Sequence, residues 1–413
     1  MSSSLSEQIT EHLEELILPF WNKSLDTKYG GVFTCYNNEG SKLISKDKFT
    51  WSQGRFLWAE SKLITLIKEK RIKGNLNLHE KHAQQTYTFL TKNAFLDNGN
   101  CAFLLSESGK MKESQPDSGF DTSIFADCFV VLGFAEYAKI TNSLDIFNQA
   151  VNIYKHIKSR ILAGTAQSEP YPILTGFTAH SFPMIMLNVS QELAETAELL
   201  NSSLYSELLN DSSVYMHTIF EDYRLENGRI IEMNTENEEL KNTLLHRHLN
   251  PGHAIECMWF VMKTANKIKD YHLIEKAVDT VLYSLEMGWD KHYQGLYRFV
   301  DFEGGKPKGK KLGGSFENLI EETWDTKLWW PHSEALYCTL LGYKLTNRPQ
   351  LMNWFEIIKE YTFKTFPNED TSIGEWIQIR SRYGEPVNRL VALPVKDPYH
   401  ITRNFFLMLD LPL

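Results

Sequence analysis

The chain has 413 residues, with 52 acidic and 43 Lys or Arg side chains and a formal net charge of −9 at pH 7. This acidic balance argues against a nucleic-acid partner, because proteins that bind a phosphate backbone present a basic surface. No run approaches the roughly 18 apolar residues of a membrane-spanning helix, and the start has neither the basic nor the apolar region of a signal peptide. We therefore expect a cytoplasmic protein with no membrane partner.

Apolar residues at helical spacing predict twelve helices, and almost no run has the alternation of a strand. The helices come in consecutive pairs. The stretch 223–247 is polar and irregular, and 289–326 is predicted to be a long loop. The predicted helices are 5–22, 51–70, 78–94, 121–140, 143–162, 177–199, 203–222, 252–268, 271–287, 328–346, 350–365 and 397–410.

One loop design recurs after helices. Residues 26–33 read Asp-x-x-Tyr-Gly-Gly-x-Phe, residues 290–297 read Asp-x-x-Tyr-Gln-Gly-x-Tyr, and 373–376 are a weaker relative. Recurrence of one loop indicates a repeated supersecondary unit, with a period too irregular for an open solenoid. We predict an all-α fold, an (α/α)6 barrel in which six helical hairpins close into a toroid around a cavity. The chain, residues 1–413, is predicted to form one catalytic domain.

The numbers of aromatic residues and cysteines indicate what these side chains do in the fold. The chain has 24 Phe, 18 Tyr and 10 Trp, which either fill a large core or line a carbohydrate-binding cleft. Five cysteines are scattered in mostly apolar helical contexts, a pattern typical of reduced core thiols rather than of disulfides or a zinc site.

A turn followed by a helix carries the first candidate site residues. Asn250-Pro-Gly is turn chemistry, and the apolar spacing after it predicts a helix that starts near Gly252 or His253. His253 and Glu256 are three residues apart and therefore share one face of its first turn. An imidazole beside a carboxylate is suited to proton transfer. The alternative is the polar first turn of a surface helix.

Four segments resemble those of the N-acylglucosamine 2-epimerase family. They are Trp51-Ser-Gln-Gly-Arg55, Asn250-Pro-Gly-His-Ala-Ile-Glu256, Lys327-Leu-Trp-Trp-Pro-His-Ser-Glu-Ala335 and Tyr399-His-Ile-Thr-Arg403. Their order and spread match the family over residues 26–403. The resemblance implies an (α/α)6 barrel, in agreement with the helix pairs.

The chemistry that the resemblance implies is inversion at carbon 2 of an aldose or a 2-acylamino sugar after ring opening. One group removes the C2 proton and a second returns a proton on the opposite face. The resemblance assigns this pair to His253 and His400, and histidine can act as acid or base near neutrality. It makes Arg55 the cation near the sugar O1 or the enolate oxygen, with Arg403 supporting His400 or the loop. The alternatives are a helix-capping role for His400 and a surface position for Arg55.

Four further side chains belong to the predicted site. Glu256 is expected to orient His253 or to bond sugar hydroxyls. Glu334 shares a helical face with Trp330 and is expected to face a sugar or the opposing histidine. Trp330 and Trp259 could stack on a sugar or lie in the core.

The sequence also predicts where two other residues lie. His180 corresponds to a histidine that helps sugar isomerase relatives to open the ring or hold the substrate, with a satisfied core histidine as the alternative. Trp329, next to Trp330, is expected to point elsewhere and pack.

The motifs around the first histidine look closest to the epimerases of N-acetylglucosamine and N-acetylmannosamine. The alternative is an aldose–ketose isomerase or a 2-epimerase of unmodified sugars such as mannose or cellobiose. The resemblance requires no cofactor, allows ATP as an activator that is not consumed, and implies a homodimer. Residues 304–311 superficially resemble a phosphate-binding loop but lack the preceding strand, and Lys311 replaces the Ser or Thr that binds magnesium.

Other classes of function are weaker. A glycoside hydrolase of the same architecture would need two carboxylates across a bond, drawn from Glu256, Glu334 and Glu375, and would leave both histidines unexplained. A non-catalytic binding protein would tolerate loss of the histidines. No metal site is predicted, because the Asn-Pro-Gly turn separates His253 from His246 and His248.

Overall fold

The computed structural model describes residues 4–388 and 396–411, and it contains every predicted helix. Two helices carry an added π-helical turn: Leu13–Ile17 joins α1 to α2, and Ile219–Tyr223 extends α8. The helices are α1 (Leu5–His12), α2 (Leu18–Lys23), α3 (Thr50–Lys68), α4 (Leu76–Asn93), α5 (Ile124–Thr141), α6 (Leu144–Leu162), α7 (Ser181–Leu199), α8 (Tyr205–Thr218), α9 (Leu244–Arg247), α10 (Pro251–Ile268), α11 (Tyr271–Gly288), α12 (Ser315–Thr323), α13 (Trp329–Thr346), α14 (Pro349–Thr365) and α15 (His400–Asp410).

Six inner helices form a closed ring. Helices α3, α5, α7, α10, α13 and α15 pack against one another in this order, and α15 packs back onto α3. Helices α4, α6, α8, α11 and α14 each pack outside the inner helix that precedes them, while α1 packs on α15. The (α/α)6 barrel is therefore confirmed. The pairing differs from the simple consecutive order, because the first helix is the partner of α15.

Nine two-residue strands lie in the described part of the chain, and four of them lead into inner helices. All pair antiparallel. Such pairs are too short to produce an alternating pattern in the sequence. The strands are β1 (Lys48–Phe49), β2 (Leu104–Leu105) and β3 (Met111–Lys112) in one sheet, and the pairs β4 (Thr178–Ala179) with β5 (Met233–Asn234), β6 (His248–Leu249) with β7 (Val300–Asp301), and β8 (Lys327–Leu328) with β9 (Ile379–Arg380).

The predicted loop 289–326 is more ordered than its composition indicates, since it contains β7 and α12. Glu317 stabilises the start of α12, where its carboxylate accepts the N–H groups of Leu312, Gly313 and Gly314. A helix of this length depends on such capping rather than on apolar periodicity. The short helix α9 was also not predicted.

The recurring loops are fastened by buried lysines. In the first loop, Asp26 accepts the Lys28 and Tyr29 N–H groups, and Lys48 Nζ donates to Asp26 at 2.6 Å and to the Gly30 carbonyl at 2.8 Å.

The second loop repeats this arrangement. Asp290 accepts the His292 and Tyr293 N–H groups, and Lys327 Nζ donates to Asp290 at 3.3 Å and to the Gly295 carbonyl at 3.0 Å. Each lysine directly precedes an inner helix. The sequence repeat therefore reflects a repeated structural device at one end of the barrel.

Helices α3 and α5 approach closely at two glycines. A Cβ on Gly54 would lie 2.3 Å from the Phe129 carbonyl oxygen, and one on Gly133 would lie 2.6 Å from the Gly54 carbonyl oxygen. The residue before Gly54 is also structural, because Gln53 exchanges two hydrogen bonds with the Val32 backbone. The Trp-Ser-Gln-Gly-Arg motif thus fixes the helix that carries Arg55.

The expectation for the cysteines agrees with the structure. All five cysteines are free and buried, as predicted. Among residues 4–388 and 396–411, no helix combines the length and apolar character that crossing a membrane requires.

Candidate active site

The inner helices surround a cavity of about 300 Å³. The predicted site residues that line it share a position in the first or second turn of an inner helix. They are Arg55, His253, Glu256, Trp330, His400 and Arg403.

His253 lies in the first turn of α10. The Asn250 side chain caps this helix by accepting the His253 N–H, and the absence of a side chain at Gly252 leaves room for the Trp330 indole, which a Cβ would approach to 2.6 Å. The ring of His253 is held by Glu232, whose Oε2 lies 3.0 Å from Nδ1. Burial opposes protonation of His253, but the Glu232 carboxylate outweighs it and raises the pKa of the imidazole.

His400 is held in the same manner at the start of α15. The ring nitrogen Nδ1 lies 2.7 Å from Glu334 Oε1. The backbone N–H of His400 donates to Asp397 Oδ2 at 2.8 Å. Both imidazoles thus use Nδ1 for a carboxylate and leave Nε2 for a ligand. Each carboxylate is placed to stabilise the imidazolium that forms when its histidine accepts a proton.

Trp330 connects the two histidines. Helix α13, which carries it, lies between α10 and α15 in the ring. The indole centroid is 5.2 Å from that of His253 and 5.6 Å from that of His400. The Trp330 indole is therefore in ring contact with both imidazoles.

A buried charge network supports the His400 side of the cavity. Arg403 donates to Glu256 and to Glu334, both at 2.5 Å, and Asn404 donates to Glu334 at 2.8 Å. Burial disfavours ionisation of Glu334, but the Arg403 charge outweighs it and holds the pKa of Glu334 well below its usual range. The network keeps the partner of His400 anionic.

Arg55 projects into the cavity from α3. Its guanidinium lies 3.9 Å from the Phe129 ring centroid and donates to Asp397 Oδ1 at 3.5 Å. Its side chain remains 18% exposed, so the charge is accessible from the cavity. Because Asp397 also accepts the His400 N–H, Arg55 lies on the same side as the second histidine.

Three predicted substrate-binding residues lie behind the cavity wall. Trp259 is fully buried and its indole N–H donates to Glu334 at 2.7 Å. Glu334 is also fully buried, so it faces the opposing histidine, one of its two predicted positions, and not a sugar. His180 is fully buried too, with Nδ1 3.6 Å from Glu232, which places it behind the partner of His253. Helical spacing in the sequence does not distinguish a side chain that lines the cavity from one that is buried behind the cavity wall.

The partner of His253 is Glu232 rather than the predicted Glu256. Glu256 is bound to Arg403, although its charge makes a smaller contribution to the raised pKa of His253. Glu232 lies within the irregular stretch 223–247 and meets α10 only in the folded structure, so no sequence spacing pointed to it. The sequence did contain a signal for Asp397, since an Asp three residues before a helical His is a capping pattern.

Two further cavity residues were not anticipated. Trp329, expected to pack elsewhere, lines the cavity and donates its indole N–H to Asp397 at 3.4 Å. Arg298 also lines the cavity and is buried, with hydrogen bonds to the Thr323 hydroxyl at 3.0 Å and the Tyr171 hydroxyl at 3.2 Å. Within the described part of the chain, Arg298 has no carboxylate at ion-pair distance.

The carboxylates do not form the pair that a glycosidase requires. Glu256 and Glu334 share one guanidinium, and Glu375 is fully buried against Lys396. None of these arrangements places two free carboxyl groups across a substrate bond. His253 and His400 line the cavity and are the candidate proton-transfer groups, and a closed helical barrel around such a cavity is the architecture of an enzyme.

The chain belongs to the N-acylglucosamine 2-epimerase family, whose sequence profile matches residues 31–403, and it is accordingly an isomerase. It is 27% identical over 414 residues to the N-acylglucosamine 2-epimerase of Mus musculus, covering 96% of this chain and 89% of that protein. The Bos taurus enzyme of that name is 28% identical over 407 residues, covering 96% and 88%.

Solved structures share the fold at low sequence identity. The cellobiose 2-epimerase of Bacillus thermoamylovorans superposes with a TM-score of 0.76 at 18% identity, covering 98% of each chain. A D-mannose isomerase superposes with a TM-score of 0.75 at 14% identity, covering 99% of this chain and 100% of that one.

Proposed function

We propose that this enzyme interconverts N-acetyl-D-glucosamine and N-acetyl-D-mannosamine by inverting carbon 2. The observation that carries the proposal is the pair His253 and His400, each tied through Nδ1 to a buried carboxylate and each in contact with Trp330. The mammalian relatives with the N-acylglucosamine 2-epimerase name support the choice of substrate.

The proposed reaction starts from the ring-opened sugar, in which the C1 aldehyde acidifies the C2–H bond. One histidine takes the C2 proton through Nε2, and the electron pair of the broken C–H bond moves into an enolate. The other histidine donates a proton to C2 on the opposite face. Arg55 supplies positive charge for the oxygen that becomes anionic. The two histidines exchange roles when the reaction runs in reverse.

Arg298 supports an N-acyl substrate over an unmodified sugar. It is a buried cation whose hydrogen bonds, within the described residues, go to neutral hydroxyl groups. Its charge also lowers the pKa of His253, which indicates that the two side chains face the same part of the cavity. An amide carbonyl on carbon 2 would lie beside the histidine that acts there and would accept a charge-assisted hydrogen bond.

The test is proton NMR of the enzyme with N-acetylmannosamine in deuterium oxide. The expected product is N-acetylglucosamine deuterated at C2, and His400→Asn should abolish it. A ketose product would instead favour an aldose–ketose isomerase, in which the proton returns to C1. Exchange with mannose or cellobiose alone would retain the mechanism and change the substrate.

We also propose that the chain acts as one catalytic domain, as a cytoplasmic homodimer, with no required cofactor and with ATP as an activator that is not consumed. Family membership supports these points. The loop 304–311 is a poor candidate for the ATP site, because Lys308 and Lys311 bind the carboxylates of Glu303 and Glu321. Light scattering tests the dimer, and assays with and without ATP, with phosphate release measured, test the activation.

A further inference from the structure

Three buried side chains converge between α3 and α4, outside the cavity. Glu60 lies on α3, while His79 and His82 lie three residues apart on one face of α4. Their exposed fractions are 5%, 3% and 6%. His79 Nδ1 is 2.9 Å from Glu60 Oε2, His82 Nδ1 is 3.9 Å from the same oxygen, and one ligand atom from each residue lies within 4.8 Å of the others.

The hydrogen bonds within this cluster leave one member without a partner. His79 and Glu60 satisfy each other. In contrast, His82 Nδ1 is buried and, among the described residues, has no hydrogen-bond partner. Buried polar atoms are normally paired, so an unpaired imidazole nitrogen directed at a carboxylate indicates that a further group belongs between them.

We propose that Glu60, His79 and His82 bind a divalent metal ion of the zinc type. Imidazole nitrogen and carboxylate oxygen are the ligands that Zn²⁺ prefers alongside thiolate, and two histidines with one glutamate form a common three-ligand set. Tetrahedral bonds of about 2.1 Å place ligand atoms about 3.4 Å apart. The separations in the cluster, 2.9 Å, 3.9 Å and at most 4.8 Å, bracket this value.

Two histidines, one glutamate and a water molecule are also the ligand set of catalytic zinc sites, but this cluster lies outside the active cavity, and we therefore assign it a structural role. None of its three ligands lines the active cavity. The metal would fasten the inner helix α3, which also carries Arg55, to the outer helix α4. A water molecule would supply the fourth ligand.

A second cluster of similar composition is already filled by protein groups. Glu256, Glu334 and His400 also come close together, but the Arg403 guanidinium lies between the two carboxylates and Asn404 donates to one of them. The Arg403 guanidinium therefore supplies the positive charge in this second cluster. Because this cluster needs no metal ion, a His400 variant serves as a control for metal binding by Glu60, His79 and His82.

The test is titration of the chelator-treated full chain with CoCl2, which reports tetrahedral coordination through its visible absorption, followed by displacement with ZnCl2. The wild type should bind one Co²⁺ per chain and should gain thermal stability with ZnCl2. Glu60→Gln, which keeps the shape of the side chain, and His82→Ala should each weaken Co²⁺ binding at least tenfold. His400→Asn and His272→Ala, at an exposed histidine, should bind Co²⁺ as the wild type does.

Two results would overturn the metal site. One is a wild-type chain that shows no stoichiometric Co²⁺ or Zn²⁺ binding. The other is an affinity that Glu60→Gln and His82→Ala leave within twofold of the wild type. Circular dichroism of each variant establishes that a loss of binding does not reflect unfolding. Epimerase activity is not used as a readout, so the outcome is independent of the proposed function.

Discussion

Glu232→Gln tests the most specific feature of the proposed active site. The change keeps the size of the side chain and a hydrogen-bond acceptor, but it removes the charge that lies 3.0 Å from His253 Nδ1. The imidazolium formed during proton transfer would lose its counterion. The pKa of His253, which Glu232 raises against the effect of burial, should fall in the variant.

The expected loss follows from the strength of the contact. A hydrogen bond to a charged group contributes about 1.5–3 kcal/mol. If the transition state loses this amount, kcat should fall about 10- to 150-fold, because each 1.36 kcal/mol corresponds to about a factor of ten. In the direction in which His253 is the base, the rate falls as the pH drops through its pKa. A lowered pKa should therefore move this acidic limb to lower pH, while the plateau also drops.

The assay is C2 proton–deuterium exchange, measured by NMR across the range in which histidine titrates. Glu236→Gln is the matched control, since it removes a carboxylate from the same segment at an exposed position. It should leave the rate and the profile unchanged. If Glu232→Gln retains the wild-type kcat and acidic limb, Glu232 does not support His253 during catalysis and the assigned pairing is refuted.

Three further predictions concern the second histidine, the acyl group and the barrel. His400→Asn should lower formation of N-acetylglucosamine from N-acetylmannosamine by at least about 10²-fold, the usual contribution of general acid–base catalysis, while calorimetry still detects sugar binding. Arg298→Gln should lower kcat/KM for N-acetylmannosamine about tenfold or more, through loss of a charge-assisted hydrogen bond, and should change exchange with mannose little. Gly54→Ala should destabilise the fold by about 1–3 kcal/mol, measured by thermal unfolding, because its methyl group would overlap the α5 backbone.

Each of these has a contrary outcome. Conversion of N-acetylmannosamine to N-acetylglucosamine that survives in His400→Asn would exclude this histidine as the second proton-transfer group. Equal losses with both sugars in Arg298→Gln would assign the arginine to general binding. The control for Gly54 is Gly314→Ala, where an added Cβ meets one side-chain atom at 3.9 Å; if both alanine variants unfold at the same temperature, the close helix contact is not limiting.

The fold could be predicted because its signals are local. Helical periodicity and the repeated loop are contained in short stretches of sequence, and the lysine contacts of the two loops explain the repeat physically. The pairing of α1 with α15 was not predicted, because it joins distant parts of the chain.

The predicted residues that line the cavity are ones that the sequence motifs themselves contain. His253, His400 and Arg55 all line the cavity. Glu232, which holds His253, and Asp397, which accepts a hydrogen bond from Arg55, lie far from these partners in the sequence and meet them only after folding. An aromatic or acidic residue in a motif can face either the cavity or the layer behind it. For Trp259, only its burial in the structure shows that it lies behind the cavity wall.

The contact of α1 with α15 also determines when during synthesis the enzyme becomes complete. The indole N–H of Trp376 donates to His12, the last residue of α1, at 2.7 Å across 364 residues. His400 lies on α15, the helix that closes the ring. Such distant pairing delays folding, because the intervening chain must be made before the contact can form. A nascent chain that already contains His253, Trp330 and Arg55 therefore still lacks the second imidazole. Under the proposed two-histidine mechanism, α15 must therefore be synthesised before the first turnover can occur.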